Sequence, residues 1–134
     1  MTRIVVDASA LVEFVFRTPR SIAIQPLLEN GDADLHIPAL ADVEFASAIV
    51  RLLVRGRLST DRASQALADL EDLPLTRHGH LGLLPRAIAL RNNIAVYDAV
   101  YVALAEALDA DLVTADSGLA AEARAHTSVR IAGS

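Results

Sequence analysis

Four acidic residues stand at points in this sequence where an apolar strand pattern meets a helical pattern. They are Asp7, Glu44, Asp98 and Asp116. If the strands are parallel, these junctions lie at one edge of the sheet, and ligands of open α/β sheets bind outside the carboxyl ends of the strands. Two carboxylates about 5 Å apart repel each other by roughly 3 kcal/mol at an effective dielectric constant near 20. Four such groups need a compensating charge, and the simplest source is a bound divalent cation.

The residue types narrow down the cation and its chemistry. The sequence has no cysteine, which excludes thiolate metal sites, disulfides and cysteine nucleophiles. Carboxylate oxygens without thiolates favour Mg²⁺ or Mn²⁺ over Zn²⁺. A cation held in this way polarises a phosphoryl oxygen and lowers the pKa of a bound water. Phosphodiester hydrolysis is therefore the reaction that fits best.

Two hydroxyl residues accompany the acids. Ser9 lies two residues after Asp7, and Thr114 lies two residues before Asp116. Hydroxyl groups next to a metal site can orient the ligating carboxylates or the waters on the metal. We predict this supporting role for both residues.

Each acid also has a purely structural interpretation. Asp7 suits the N-cap of a helix, and Asp116 suits a turn. Glu44 and Asp98 are expected in the first turns of their helices, where a negative charge complements the macrodipole. The same kind of junction occupied four times favours a common site. Three further acids are predicted to lie outside it: Asp42, Asp109 and Asp111.

The predicted elements alternate between short strands and helices, which is typical of an α/β fold with a parallel sheet. The strands are predicted at residues 3–6, 35–37, 73–77, 112–114 and 129–131. The helices are predicted at residues 8–16, 21–30, 41–55, 60–70, 80–91, 97–108 and 117–125. Ser21 and Ser59 or Thr60 are predicted N-caps, and Gly31 is a predicted C-terminal stop.

The helix at 97–108 is apolar on almost every side, and Glu106 is its one charge after the first turn. Such a helix is predicted to be buried all round, next to a strand at 112–114 that is buried on both faces. Two other helices have apolar stripes that are predicted to face the core. The stripe of the first is Val43, Ala46, Ile49, Val50, Leu53 and Val54. The stripe of the second is Ala63, Ala66, Leu67 and Leu70.

Histidines and arginines give weaker signals. His78 and His80 flank Gly79 and are interpreted as loop residues, while His36 and His126 have no assigned role. All twelve basic residues are arginine. The candidates for phosphate contacts are Arg51, Arg55, Arg86 and Arg91.

The length and composition of the chain indicate the number of domains and exclude several classes of protein. A chain of 134 residues predicts a single domain over residues 1–134. The absence of lysine excludes a P-loop and a Schiff-base enzyme, and the net charge of −5 gives no global basic surface for nucleic acid. No signal peptide is evident, and no apolar run approaches the roughly 18 residues of a membrane span. We expect a soluble, cytoplasmic protein with no membrane partner.

Three runs of the sequence resemble PIN-domain ribonucleases. They are residues 4–11 (IVVDASAL), 97–105 (YDAVYVALA) and 112–116 (LVTAD), and Pro38 with Glu44 adds a weaker match. Within that family the chain is most similar to VapC toxins of bacterial toxin–antitoxin modules. The resemblance extends over essentially the whole chain.

The resemblance implies a three-layer α/β/α sandwich around a mainly parallel sheet. It also implies an endoribonuclease that depends on Mg²⁺ or Mn²⁺ and acts as the toxin of a type II toxin–antitoxin system. Its catalytic and metal-binding residues would be Asp7, Glu44, Asp98 and Asp116. The implied partners are RNA, a second copy of the chain in a homodimer, and a VapB-type antitoxin whose C-terminal segment covers the acidic site.

Two other functions remain as alternatives. One is a phosphohydrolase or receiver-like domain with an acidic pocket after the first strand. A dehalogenase-type phosphohydrolase has a second aspartate where this chain has Ser9, and a receiver domain needs a lysine, so the sequence speaks against both. The other is a non-catalytic module that keeps the PIN fold and only binds a partner.

Overall fold

A four-stranded parallel sheet forms the centre of the computed structural model, which describes residues 2–133. The strands are β1 (Thr2–Val6), β2 (Ala33–Pro38), β3 (Leu75–His78) and β4 (Asp111–Val113), in the order β3-β2-β1-β4. Every pair is parallel, and Val5 of β1 lies opposite His36 of β2 and Leu112 of β4. The carboxyl ends of all four strands therefore meet at one edge.

Helices cover the sheet in two groups. They are α1 (Ala8–Phe16), α2 (Ser21–Leu28), α3 (Leu40–Val54), α4 (Thr60–Asp72), α5 (Leu84–Ala89), α6 (Val96–Leu108) and α7 (Ser117–His126), with a 3₁₀ turn at Leu81–Leu83. Helix α1 packs against α2, α3 and α4, whereas α5 packs against α6. Right-handed crossovers between parallel strands produce such layers. The predicted α/β/α sandwich is confirmed.

Helix α6 is the buried element that the sequence predicts. Every residue from Ala99 to Ala105 is buried, and the helix contacts β1, β2 and β4. Its small alanines allow the helix to approach the sheet closely. The first turn is the part that reaches the carboxyl edge of the sheet, and it carries Asp98.

The apolar stripe predicted for α3 is half wrong. Val43, Val50 and Val54 are exposed, whereas Ile49 is buried as predicted and Ala46 and Leu53 are partly buried. The helix also buries Ala41 and Phe45, which lie outside the predicted stripe. The larger ring of Phe45 determines the rotation of the helix, because it stacks on Phe16 of α1 with ring centroids 6.5 Å apart. In α4, Ala63, Ala66 and Leu70 are buried as predicted, but Leu67 is 45% exposed.

Three smaller predictions also need correction. Ser21 is the first residue of α2 rather than its N-cap, and its hydroxyl donates to the Thr18 carbonyl oxygen. The helix ends at Leu28, and an Asn30 side chain that accepts from the Asp32 amide makes the following turn, so Gly31 is not the stop. The fifth strand is reduced to a single bridge between Ile131 and Leu112. By contrast, Ser59 caps α4 as predicted.

Candidate active site

All four predicted acids line one cavity at the carboxyl edge of the sheet. Its volume is about 290 Å³, and its other polar lining residues are Ser9, Ser47, Arg51 and Tyr101. Because the strands are parallel, the segments that follow β1 and β4, the first turn of α6 and the middle of α3 open into the same space. The fold thus brings together groups that are far apart in the sequence.

Asp7 is the most rigidly held of the four. It follows β1 and caps α1, and its Oδ1 accepts from the Ala10 amide at 3.0 Å and from the Ser9 hydroxyl at 2.7 Å. Its Oδ2 accepts from the Thr114 hydroxyl at 2.7 Å. Only 5% of the residue is exposed, and burial raises the pKa of its carboxyl although these hydrogen bonds oppose the shift. The capping interpretation and the site interpretation are therefore compatible.

Ser9 and Thr114 connect the first and last parts of the site. Their hydroxyl oxygens are 3.3 Å apart, and both donate to Asp7. The Ser9 oxygen also accepts from the Ala115 amide, and the Thr114 oxygen accepts from the Asp116 amide, each at 3.0 Å. The loop after β4 is consequently tied to the start of α1.

Asp98 has a contrasting environment. Its carboxylate is half-buried in the first turn of α6, and no described residue donates a hydrogen bond to it. Burial and, after it, the negative charges of Asp116, Asp7 and Glu44 together raise its pKa to about 6. The raised pKa means that burial and the three nearby carboxylates disfavour the ionised form of Asp98.

Glu44 lies one turn later in its helix than predicted. Helix α3 begins at Leu40, so Asp42 occupies the first turn and forms a bidentate ion pair with Arg77, at 2.7 and 3.0 Å. The Oε1 of Glu44 accepts a hydrogen bond from the Tyr101 hydroxyl. Glu44 therefore reaches the cavity from the second turn, and Asp42 is outside it.

Asp116 caps α7 with one oxygen. Its Oδ1 accepts from the Gly118 amide at 2.8 Å and from the Leu119 amide at 3.2 Å. Among residues 2–133, no donor pairs with its Oδ2. The cap fixes the orientation of the carboxylate and leaves the second oxygen available to a ligand.

The donor set fits a hard divalent cation. In the described part of the chain, no three ligating side chains converge closely enough to hold a metal by themselves. That spacing is compatible with Mg²⁺, which usually retains several waters and binds one or two carboxylates together with substrate phosphates. Burial is the main cause of the raised pKa values of Asp7 and Asp98, and the negative charge of Asp116 adds to both; a cation would oppose these shifts.

Tyr101 is the site residue that the sequence prediction missed. It is almost fully buried, and burial followed by its hydrogen bond to Glu44 raises its pKa. A signal was present, because Tyr101 lies three residues after Asp98 on an apolar helix, where a buried tyrosine hydroxyl needs a partner. The partner, 57 residues away in sequence, could not be identified without the fold.

Histidines and arginines are distributed differently from the acids. His36 and His78, on adjacent strands, share a hydrogen bond of 2.8 Å, and the other ring nitrogen of His36 bonds to Asp34. His78 thus ends β3 rather than lying in a loop, and neither histidine lines the acidic cavity. Of the four arginine candidates only Arg51 lines the cavity, whereas Arg86 forms an ion pair with Glu106.

Comparison with known proteins places the chain in a family. The model of the PIN domain matches residues 4–124. Ribonuclease VapC9 of Mycobacterium tuberculosis is 39% identical over 135 residues, covering 96% of this chain and 97% of that protein. The chain belongs to the PIN-domain family, within its VapC group. The resemblance seen in the three sequence runs is confirmed.

Solved structures share the fold of this chain. The crystal structure of PAE2754 from Pyrobaculum aerophilum has a TM-score of 0.72 at 24% identity, covering 97% of this chain and 88% of that one. A chain from a toxin–antitoxin complex of Klebsiella pneumoniae has a TM-score of 0.58 at 19% identity, covering 85% and 87%. Within residues 2–133, no helix is long and apolar enough to cross a membrane.

Proposed function

We propose that the single domain predicted over residues 1–134 is an endoribonuclease that acts as the toxin of a type II toxin–antitoxin module. The observation that carries this proposal is the cavity where Asp7, Glu44, Asp98 and Asp116 meet without an ion-pair partner among the described residues. Its VapC relative is named a ribonuclease, which supports RNA as the substrate. RNA hydrolysis by a chain of this kind would take place in the cytoplasm.

Asp7 and Asp98 are the proposed main ligands of the metal, with Glu44 and Asp116 as direct or water-mediated ligands. When bound, Mg²⁺ or Mn²⁺ supplies charge neutralisation and Lewis acidity for phosphodiester hydrolysis. Ser9 and Thr114 keep both oxygens of Asp7 in place, and Tyr101 keeps the Glu44 carboxylate turned toward the cavity. These hydrogen bonds prepare the carboxylates before metal and substrate arrive.

Cleavage of a mixed RNA substrate by the purified protein tests this proposal. We expect cleavage with Mg²⁺ or Mn²⁺, no cleavage with chelator, and a loss of at least about 100-fold in Asp98→Asn, since even residues outside a ligand set typically contribute about 10–100-fold. The matched control is Asp109→Asn at the other end of α6, because asparagine tolerates the left-handed conformation of that position (φ 51°). Undiminished cleavage by Asp98→Asn would contradict the mechanism.

Two protein partners complete the proposal. A structural neighbour is described as a toxin–antitoxin complex, which supports inhibition of this chain by a VapB-type antitoxin. The homodimer stays a prediction, supported by the exposed valines Val43, Val50 and Val54 on α3, because exposed apolar patches mark protein contacts. Size-exclusion chromatography with light scattering tests it, and a monomer at micromolar concentration would contradict it.

A further inference from the structure

A second groove adjoins the acidic cavity. Both are lined by Ser9, Val12, Ala48, Arg51 and Asp116, so they open into each other. The second groove adds Arg20, Ser117, Ala115 and Glu13, and a third depression continues from Arg20 and Ser117 to Arg124. A continuous path therefore leads from the four carboxylates past Arg51 and Arg20 toward Arg124.

The two nearer arginines retain uncompensated charge. The Arg51 guanidinium donates to the Ser47 hydroxyl at 3.1 Å, and no described carboxylate lies within 4.0 Å of it. Arg20 donates to the Ala115 carbonyl oxygen at 2.6 Å, which fixes it beside the groove, and within residues 2–133 it forms one long ion pair, of 4.0 Å to Glu13. Its side chain is still 65% exposed.

Several arginines elsewhere in the chain already form ion pairs. Arg77 and Arg86 each form a bidentate ion pair, with Asp42 and Glu106 respectively. Arg130 bonds to Asp111 at 2.9 Å. Arg55, Arg57 and Arg91 also lack an ion pair among the described residues, but they line neither the acidic cavity nor the adjoining groove. Arg51 and Arg20 are thus the arginines that the fold places beside the acidic cavity, in a protein whose net charge is −5.

The position of these charges indicates what they bind. A cavity with four carboxylates repels an RNA strand, so cations must hold the phosphates on either side of the reacting one. We infer that Arg51 contacts the phosphate next to the scissile phosphate, that Arg20 contacts the one beyond it, and that the RNA strand continues toward Arg124. This inference rests on the proposed ribonuclease function and adds the direction of the substrate strand.

Binding of a labelled single-stranded RNA across a series of salt concentrations tests the path. The Asp98→Asn background prevents cleavage, and the added variants are Arg51→Gln, Arg20→Gln and the matched control Arg57→Gln, an exposed arginine that follows α3 and lines neither the cavity nor the groove. Each lost phosphate contact should reduce the slope of log K against log salt by about 0.7 for single-stranded RNA. We expect that change in both groove variants and an unchanged slope in the control.

Cleavage kinetics test whether Arg51 contacts a phosphate of the substrate. Loss of a charged phosphate contact at an exposed site should reduce kcat/KM by about tenfold in Arg51→Gln, mainly through KM, and Arg51→Lys should recover part of it. The unfolding midpoint should not change, because Arg51 is exposed and bonds only to Ser47 among the described residues. A purely structural role would change the midpoint and leave the salt slope unaltered.

Chemically altered RNA distinguishes a contact from a general charge effect. A neutral methylphosphonate next to the mapped cleavage site should weaken binding by the wild-type groove, and it should have no further effect in Arg51→Gln. Active wild-type enzyme with unchanged salt slopes and kinetics in both arginine variants would overturn this inference and leave the proposed function intact. A wild-type protein that cleaves no RNA with either metal would overturn both.

Discussion

The acidic side chains at the two ends of the sheet differ in their surroundings. At the amino end of the strands, Asp111 forms an ion pair with Arg130, and Arg3 donates to the Leu108 carbonyl oxygen at 3.0 Å. At the carboxyl end, four acids share one cavity without an ion pair in the described structure. Both ends contain several carboxylates, so the number of acids does not distinguish them. Asp109 at the amino end also lacks an ion pair among the described residues, but it is exposed, whereas Asp7 and Asp98 are withdrawn from solvent in one shared cavity.

Uncompensated charge lowers stability, and proteins retain it where it serves binding or catalysis. The ion pairs of the amino end are exposed and contribute little to stability. The carboxylates of the other end are held by hydrogen bonds and by helix N-termini, which orient them but leave their negative charge uncompensated. This difference supports the proposed active site at the carboxyl end.

The largest expected effect is the difference in RNA cleavage between two variants, each of which replaces one acid at one end of the sheet. Asp7→Asn removes a proposed ligand, and asparagine can still cap α1, so the fold should persist. We expect RNA cleavage to fall by at least about 100-fold. The matched change Asp111→Asn at the amino end should leave the cleavage rate within twofold of the wild type. Equal losses in the two variants would remove the distinction between the ends.

Removal of one supporting hydroxyl should have an intermediate effect. Tyr101→Phe leaves the Glu44 carboxylate without its hydrogen bond, and we expect a reduction in kcat of about tenfold, as is typical for groups that orient ligands. Tyr97→Phe is the control, because Tyr97 is 63% exposed on the same helix. If Tyr101→Phe retains full activity while Tyr97→Phe does not, the assignment of Tyr101 is wrong.

The smallest expected effect is on stability as a function of pH. The pKa of Asp98 is about 6 in the folded protein and 3.8 in the unfolded reference, so the unfolded chain ionises first as pH rises. The free energy of unfolding should therefore fall between pH 4 and 6, by about 1 kcal/mol after allowing for solvent screening of this half-exposed group. In Asp98→Asn, which has no carboxyl at this position, the free energy of unfolding should not fall in this way between pH 4 and 6.

Denaturant unfolding of metal-free wild type and Asp98→Asn at pH 4 and pH 7 measures the difference. Asp109→Asn serves as the control on the same helix, since it is expected to follow the wild type. Parallel pH profiles for wild type and Asp98→Asn would show that Asp98 ionises normally in the folded state. The charge difference between the two ends of the sheet would then be smaller than inferred.

The sequence predicted the layers of the fold because its apolar runs are distinctive. Because α6 is apolar on almost every side, the sequence predicts that the whole helix is buried. Helix α3 has apolar residues on more than one face, so the sequence does not show which face packs on the core. The size of Phe45 decided which face is buried, and that depends on its contact with Phe16. Packing between distant elements is not encoded in the local periodicity of either helix.

The site was predictable in part for a similar reason. Its acids stand at junctions that a parallel sheet necessarily brings to one edge, so Asp7, Glu44, Asp98 and Asp116 could be grouped from sequence alone. The pairing of Tyr101 with Glu44 and the position of Arg51 beside the acids depend on the relative rotation of α3 and α6. Such details require the tertiary structure.

Calorimetric titration of Mn²⁺ is the most direct test of the account, because the central claim is that the unpaired carboxylates form one cation site. The metal would be titrated into wild type, Asp98→Asn and Asp111→Asn. We predict saturable binding by wild type and by Asp111→Asn, and binding at least about tenfold weaker in Asp98→Asn. No heat of binding to wild type at millimolar Mn²⁺, or equal binding by all three proteins, would contradict the claim.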